Sequence, residues 1–242
     1  MTLRELVAEA RLVGRAAEPS TFHTRTLASL LGWAGEGLAA TVLDPALVRD
    51  AQHADVLLVP VDGGIAEVRA SSVIIDPVPT LDGDWASVTL GSLPPGSLSC
   101  DVHAAVAAAT IALCADALGA AEAALDAAAS HVKQRVQYGK PLASLQVVRH
   151  RCADMLIDVY VAESAISAAA EAGDLIAAAS WCKAAAIERC RRVTASAHQL
   201  AGGQGILADA PFHRWYRRVK MAEPVLGTNR AHRARVAASL LT

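Results

Sequence analysis

The chain has 242 residues, 53% of them hydrophobic, with 22 Lys and Arg residues against 24 Asp and Glu residues and a formal net charge of −2. This length can bury a sizeable core in one large domain or two small ones. The near-balanced charge argues against a surface that binds nucleic acid or an anionic membrane over its whole extent, so any basic site must be local.

Much of the apolar content is alanine, which is the strongest helix former. Alanine adds little apolar area per residue, so alanine-rich helices need close neighbours from the same chain or from another one. We therefore expect a mainly helical protein that forms oligomers.

Residues 1–52 form the first predicted part, a short helical segment. Its first helix is indicated by an apolar stripe: Leu3, Leu6, Val7 and Ala10. A Pro19-Ser20 break follows, and a second helical stretch runs from Thr24 towards Trp33. Because charged residues interrupt the start of the chain, we expect no secretory segment and a cytoplasmic protein.

Residues 53–99 form the second predicted part, where the sequence changes to a β pattern. Three runs of β-type residues are separated by turn signals; the runs are 55–61, 65–76 and 85–90. This pattern predicts a small antiparallel β module.

Residues 100–242 form the third predicted part, a helical bundle. The predicted helices run from Asp101 to about Tyr138, from Pro141 to Ala172, from Asp174 to Gly202, from 211 to 221 and from 228 to 241. The most apolar run, 102–115, is shorter than the roughly 20 residues that a membrane span needs. We therefore expect no membrane association.

The segment Arg135-Val-Gln-Tyr-Gly-Lys-Pro141 interrupts the alanine-rich helical sequence. A guanidinium offers a rigid fork of donors suited to phosphate, and a tyrosine three residues later can present a flat face to a base. The pattern is typical of a nucleotide contact. A helix end with a surface arginine explains the same residues, and the segment by itself leaves both readings open.

The cysteines do not indicate a metal or redox site. Their number, five, is odd, and no C-x-x-C spacing occurs. Cys182 and Cys190 lie near Lys183 and Arg189, but no histidine stands at ligand spacing on the same helix. We expect buried thiols that pack as small hydrophobic groups, and no metal.

Several motifs of the third part occur in an order that resembles the carboxy-terminal bundle of the acyl-CoA dehydrogenases. They are Gly119–Asp126, Arg135–Leu142, Gln146, His150–Met155, Gln199–Gly203, Gly205, Tyr216-Arg217, Lys220 and Gly227–Asn229. Two shorter pieces, 54–59 and 80–82, resemble the later half of the family's middle β domain. Residues 1–52 match no part of the family pattern. The expected fold is therefore mainly α, with a truncated antiparallel β domain before the family's helical bundle.

The resemblance implies an enzyme that uses FAD and acts on acyl-CoA thioesters. In this family a carboxylate removes the α-proton of the thioester while the β-hydrogen leaves as a hydride to the flavin. The resemblance also implies paired subunits, in which the ADP half of FAD reaches from one subunit to the next.

Six residues are implied as FAD contacts: Arg135, Gln137, Tyr138, Gln199, Gly202 and Gly203. Arg135 would neutralise the pyrophosphate, Gln137 would hydrogen-bond it, and Tyr138 would lie against the adenine ring. Gln199 would fix a polar group of the nucleotide, and the two glycines would let the backbone approach it closely.

Departures from the family pattern determine the expected function. The family's base is a Glu immediately before Gly-Thr, where this chain has Leu226, and a second family location of the base corresponds to Ala109. Neither side chain can accept a proton, so we expect no catalytic residue. The family's amino-terminal domain and its ring-facing Glu-Pro and Gly-Ser-Asp motif also have no counterpart here.

We therefore expect an FAD-binding, non-catalytic subunit of a heteromeric α2β2 acyl-CoA dehydrogenase, similar to those that act on steroid side-chain CoA esters. A catalytic partner subunit would hold most of the acyl-CoA. Two alternatives stay open: a stand-alone enzyme with a displaced base such as Asp116, and an FAD-free scaffold or acyl-CoA-binding module. Retention of Arg135 and Tyr138 argues against a decayed cofactor site.

Overall fold

The computed structural model of the chain describes residues 1–207 and 209–241. The helices are α1 (Leu3–Ala16), α2 (Phe22–Leu30), α3 (Val102–Gln134), α4 (Gln146–Ala170), α5 (Leu175–Ala201), α6 (Phe212–Ala222) and α7 (Asn229–Leu240). The strands are β1 (Ala39–Thr41), β2 (Val48–Arg49), β3 (Val56–Val61), β4 (Gly64–Arg69), β5 (Ile74–Val78), β6 (Trp85–Thr89), β7 (Val136–Gln137) and β8 (Lys140–Pro141). The predicted fold class, mainly α with a small β module, is confirmed.

The chain divides into two compact units. One consists of Met1–Glu18 and the chain from Ile111 onward, and the other is Pro19–Thr110. These bounds differ from those of the three predicted parts, because α1 is grouped with the carboxy-terminal helices and not with the segment that follows it.

The unit Pro19–Thr110 contains two three-stranded sheets, with strand orders β1-β3-β4 and β2-β6-β5. All their pairs are antiparallel except β1 with β3, which is parallel. Strands β1 and β2 lie in the part predicted to be helical, and they are too short to give an alternating pattern. The core between the sheets includes Val48, Leu57 and Val88. A second cluster contains Ala28 of α2 and Leu31, the residue that follows the end of α2.

The helical unit is closed by a close crossing of α1 over α3. A Cβ placed on Gly14 would lie 1.8 Å from the carbonyl oxygen of Asp116, and one on Gly119 would lie 1.9 Å from the carbonyl oxygen of Arg11. The two backbones therefore touch directly, which only glycine allows at these two positions.

Charged side chains support the same crossing. The guanidinium of Arg11 donates to Glu122 on α3 at 2.9 Å and to Glu163 on α4 at 2.8 Å. Both carboxylates raise the pKa of Arg11, and the hydrogen bond to Glu122 has the largest effect. The first helix is thus tied to two helices of the bundle.

The helix bounds around the Arg135 segment differ from the prediction. Helix α3 ends at Gln134 and not near Tyr138, and α4 begins at Gln146 and not at Pro141. The reason is that positive φ angles at Tyr138 and Gly139 reverse the chain direction. Pro141 is then extended, with ψ of 143°, in the second strand of the resulting hairpin.

By length and composition alone, α3 could cross a membrane. However, 89% of its most apolar 18-residue window is buried inside the protein. A long apolar helix with this burial is typical of a core helix.

Candidate functional site

The Arg135 segment forms a β-hairpin at the end of α3. Strands β7 and β8 pair Gln137 with Lys140, and the turn between them consists of Tyr138 and Gly139. Their φ angles are 53° and 74°, as a type I′ turn requires. A tyrosine in the left-handed region carries backbone strain on the order of 1 kcal/mol, and strained positions of this kind cluster at binding sites.

The hairpin presents its predicted contact residues to solvent. The Tyr138 side chain is 91% exposed, and Arg135 and Gln137 are also exposed. Within residues 1–207 and 209–241, these three side chains have no hydrogen bond, ion pair or ring contact with the rest of the chain. Their donors and the aromatic face are therefore available to a ligand or to another subunit.

The second group of predicted contacts lies at the end of α5. Gln199 is exposed in the last turn of the helix, and its carbonyl accepts the backbone N–H of Gly202. Gly202 has φ 57° and ψ −134°, a combination essentially confined to glycine. Among the residues that the structure describes, none lies within 4 Å of a Cβ built on Gly202 or Gly203. A ligand could approach this backbone closely.

No hydrogen bond or ion pair joins the two groups in the described part of the chain. Both groups are exposed on the helical unit, and each has features suited to a nucleotide. A guanidinium beside an aromatic ring fits a diphosphate and a base, and an open glycine backbone fits close contact with either. The residues present thus fit the ADP half of FAD.

The two positions that correspond to the family's base are apolar and partly or fully enclosed. Ala109 is 6% exposed in the first third of α3. Leu226 is half-buried in the loop between α6 and α7, where it has a positive φ of 56°. Neither position supplies a proton acceptor.

A buried polar network, which was not predicted from the sequence, holds the Leu226 loop. The Lys183 ammonium on α5 donates to the carbonyl of Val225. On α7, His232 places Nε2 2.9 Å from the carbonyl oxygen of Leu226 and Nδ1 3.2 Å from the hydroxyl of Ser180. A carbonyl can only accept, so Nε2 carries the proton and Nδ1 accepts from Ser180.

Burial lowers the pKa of both basic groups in this network. The pKa of Lys183 falls from 10.5 to about 8, and that of His232 falls below its usual value. Desolvation is the main cause in both cases, because the charged forms lose their hydration inside the bundle. The available sequence signal was a lone lysine within the apolar run 181–187.

The depressed pKa predicts that stability depends on pH through Lys183. The pKa of Lys183 is about 8 in the folded chain, against an ordinary value of 10.5. Between these two values the unfolded chain binds more protons than the folded chain, so the free energy of unfolding rises with pH. From about pH 7.5 to about pH 9.5, the wild-type chain should gain about 2 kcal/mol relative to Lys183→Met. Urea unfolding at both pH values measures this, with the exposed Lys140→Met variant as the control. Parallel pH profiles for wild type and Lys183→Met would contradict the prediction.

Asp116 lies in a buried ion pair. Its two carboxylate oxygens are 2.7 Å from Nε and Nη2 of Arg218, and the two side chains are 3% and 5% exposed, respectively. Nη1 of Arg218 also donates to the carbonyl of Glu18 at 3.1 Å. A carboxylate held by two charge-assisted hydrogen bonds is poorly suited to act as a base, which argues against the displaced-base alternative.

The cysteines are free thiols. Cys114, Cys182 and Cys190 are buried, and Cys100 and Cys152 are half-buried. A hydrogen bond with Cys114, together with burial, raises the pKa of Cys182, and burial raises that of Cys190. Among the residues the structure describes, no group of three or more His, Cys, Asp or Glu side chains is placed to hold a metal ion.

Solved structures share the fold. The "Tcur3481-Tcur3483 steroid ACAD G363A variant" has a TM-score of 0.85 and 24% identity, and the match covers 99% of this chain and 81% of that one. The "ChsE4-ChsE5 complex from Mycobacterium tuberculosis" has a TM-score of 0.85 and 21% identity, with 99% and 80% covered.

Sequence comparison identifies the family. The acyl-CoA dehydrogenase, C-terminal domain, family matches residues 102–241. The acyl-CoA dehydrogenase IpdE2 of Mycobacterium tuberculosis (strain ATCC 25618 / H37Rv) is 30% identical over 232 residues, which cover 90% of this chain and 72% of that protein. For several other curated relatives, the match covers only about a third of the relative's own length. With the order of its motifs and its fold, these matches show that the chain belongs to the acyl-CoA dehydrogenase family.

Proposed function

We propose that this chain is the FAD-binding, non-catalytic subunit of a heteromeric acyl-CoA dehydrogenase with an α2β2 arrangement. The complex would introduce an α,β double bond into an acyl-CoA thioester, with a steroid side-chain CoA ester as the proposed substrate. One observation carries the proposal: an exposed hairpin presents Arg135, Gln137 and Tyr138, whereas both base positions hold apolar residues.

The absence of a base supports the non-catalytic role. Leu226 and Ala109 cannot accept a proton, and both oxygens of Asp116 are engaged by Arg218. Glu122, another carboxylate on α3, accepts from Arg11. Proton removal from the thioester is therefore assigned to the partner subunit.

The outer face of α4 supports the existence of a partner. Its exposed large apolar residues are Val147, Leu156, Ile157, Tyr160 and Val161. Tyr160 follows Leu156 by four positions, and Val161 follows Ile157 by four. These four residues therefore share a face opposite the buried Met155 and Val159. A contiguous apolar patch of this kind is typical of a protein interface. Two fold relatives are described as pairs of named components, Tcur3481-Tcur3483 and ChsE4-ChsE5.

In the proposed complex, the chain's own residues bind and orient the cofactor. Arg135 and Gln137 would hold the pyrophosphate, and Tyr138 would cover the adenine ring. Gln199 would bind a polar group of the nucleotide, beside the open backbone of Gly202 and Gly203. The bound flavin supplies the hydride acceptor.

Flavin stoichiometry tests the proposal. The chain is co-expressed with candidate full-length acyl-CoA dehydrogenases that have Glu before Gly-Thr, and any complex that forms is purified. Two flavins per four chains are expected, because only one site per unlike pair has a complete ring pocket. Four flavins, or activity of the single chain with its own flavin, would overturn the proposal.

The Arg135→Ala variant tests the nucleotide contact in the same complex. A charge-assisted hydrogen bond contributes about 1.5–3 kcal/mol, so FAD should bind about tenfold to a hundredfold more weakly while the subunits still assemble. Flavin absorbance per complex after dialysis measures the loss, and Arg230→Ala, at another exposed arginine, is the matched control. Unchanged flavin content in Arg135→Ala would favour the FAD-free scaffold.

A further inference from the structure

Positive charge is concentrated around the hairpin beyond what a nucleotide requires. No acidic residue occurs between Asp126 and Asp154, although the whole chain has a net charge of −2. The same interval contains five cationic residues, which we call the basic corner: Lys133, Arg135, Lys140, Arg149 and Arg151. The basic corner is therefore a local exception to the charge balance of the chain.

The fold gathers these residues at one end of the helical unit. The backbone N–H of Leu142 donates to the carbonyl of Arg135 at 2.9 Å, and Nε of Arg149 donates to the carbonyl of Ala143 at 2.8 Å. Burial raises the pKa of the Cys152 thiol and the nearby Lys133 ammonium opposes this rise, so the end of α3 lies close to the start of α4.

All five side chains of the basic corner are exposed. In the described parts of the chain, none of them forms an ion pair with a carboxylate. Five like charges close together repel one another, and this repulsion is relieved when an anionic surface approaches.

The nucleotide alone does not balance this charge. The diphosphate of FAD brings about two negative charges, and the proposed contact uses Arg135 from the hairpin. The other cations are spread over α3, the hairpin and α4, a distribution suited to several separate carboxylates on a rigid protein surface. A second copy of this chain would bring five more positive charges, so like-charge repulsion disfavours self-pairing here.

We infer that the basic corner docks on an acidic face of the catalytic partner subunit, in addition to contacting the FAD diphosphate. The inference rests on the proposed function, because it requires that partner. Docking of this kind accelerates association at low salt and favours the unlike pair over the like pair.

The test uses Lys133→Gln/Arg151→Gln, which removes two exposed charges and keeps Arg135. Its control is Arg230→Gln/Arg235→Gln, which removes two exposed charges from α7. Association of each full-length chain with the purified catalytic subunit is followed by stopped flow. At about 20 mM salt the first variant should associate about tenfold more slowly than wild type and the control, and the three rates should converge at about 0.5 M salt.

Flavin content and circular dichroism are measured on the same samples. Equal association rates for wild type and variant would overturn the docking inference, while a flavin-containing wild-type complex would leave the proposed function intact. If the variant loses flavin but associates at the wild-type rate, the cations bind the nucleotide and not the partner, which would also overturn the docking inference. If wild type forms no complex, the proposed function fails together with the inference.

Discussion

The Asp116→Ala variant is expected to lose about 3–5 kcal/mol of its free energy of unfolding, because it leaves the buried Arg218 guanidinium without the carboxylate that compensates its charge. Arg218 is only 5% exposed and cannot recover its hydration without a rearrangement of α6 against α3. Its bond to the Glu18 carbonyl replaces only a small part of the lost interaction. Urea unfolding measures the loss.

Two further variants separate the ion pair's structural role from a catalytic one. Asp116→Leu/Arg218→Met replaces the pair by apolar side chains and should be much more stable than Asp116→Ala, because no buried charge is left. Asp116→Asn in the assembled complex should keep its turnover per folded complex. A loss of turnover of a hundredfold or more, with stability unchanged, would instead identify Asp116 as the base.

The helices could be predicted from the sequence because their signals are local. Asp101 and Asp174 accept from the backbone N–H groups of Ala104 and Ala177, as N-cap residues do. The first helix of the part 100–242 was predicted to reach about Tyr138. It ends at Gln134 instead, and a hairpin with the turn Tyr138-Gly139 follows. Tyrosine rarely occupies the first position of a type I′ turn, so Tyr138-Gly139 is not a strong hairpin signal.

The place of α1 in the bundle could not be predicted in the same way. Its apolar stripe identified a helix with one buried face, but periodicity does not say which helix covers that face. The contact depends on Gly14 and Gly119, which are more than 100 residues apart in the chain. From the local sequence alone, a glycine within a helix indicates only a position of low helix propensity.

The candidate site shows the same division between local and long-range information. The sequence around Arg218 does not identify Asp116 as its partner, because the two residues are 102 positions apart in the chain. The network of Lys183, His232 and Ser180 forms only when α5, α7 and the Leu226 loop come together. The roles of Arg135 and Gln199 stay predictions that flavin measurements can test.

The variants Gly14→Ala and Gly119→Ala are each expected to lower the free energy of unfolding by about 2 kcal/mol. Alanine normally stabilises a helix by about 1 kcal/mol relative to glycine, so the local effect has the opposite sign. Each new Cβ would lie within 1.9 Å of a backbone carbonyl oxygen, so α1 and α3 must move apart. Overpacking of this kind costs about 3 kcal/mol when backbone and not a side chain must yield.

Gly173→Ala is the matched control, because nothing lies within 4 Å of its Cβ and its φ is not positive. It should leave stability unchanged or raise it slightly by restricting the unfolded chain. Urea unfolding of the three variants compares them directly. If Gly14→Ala and Gly119→Ala were as stable as Gly173→Ala, α1 would not contact α3 through its backbone.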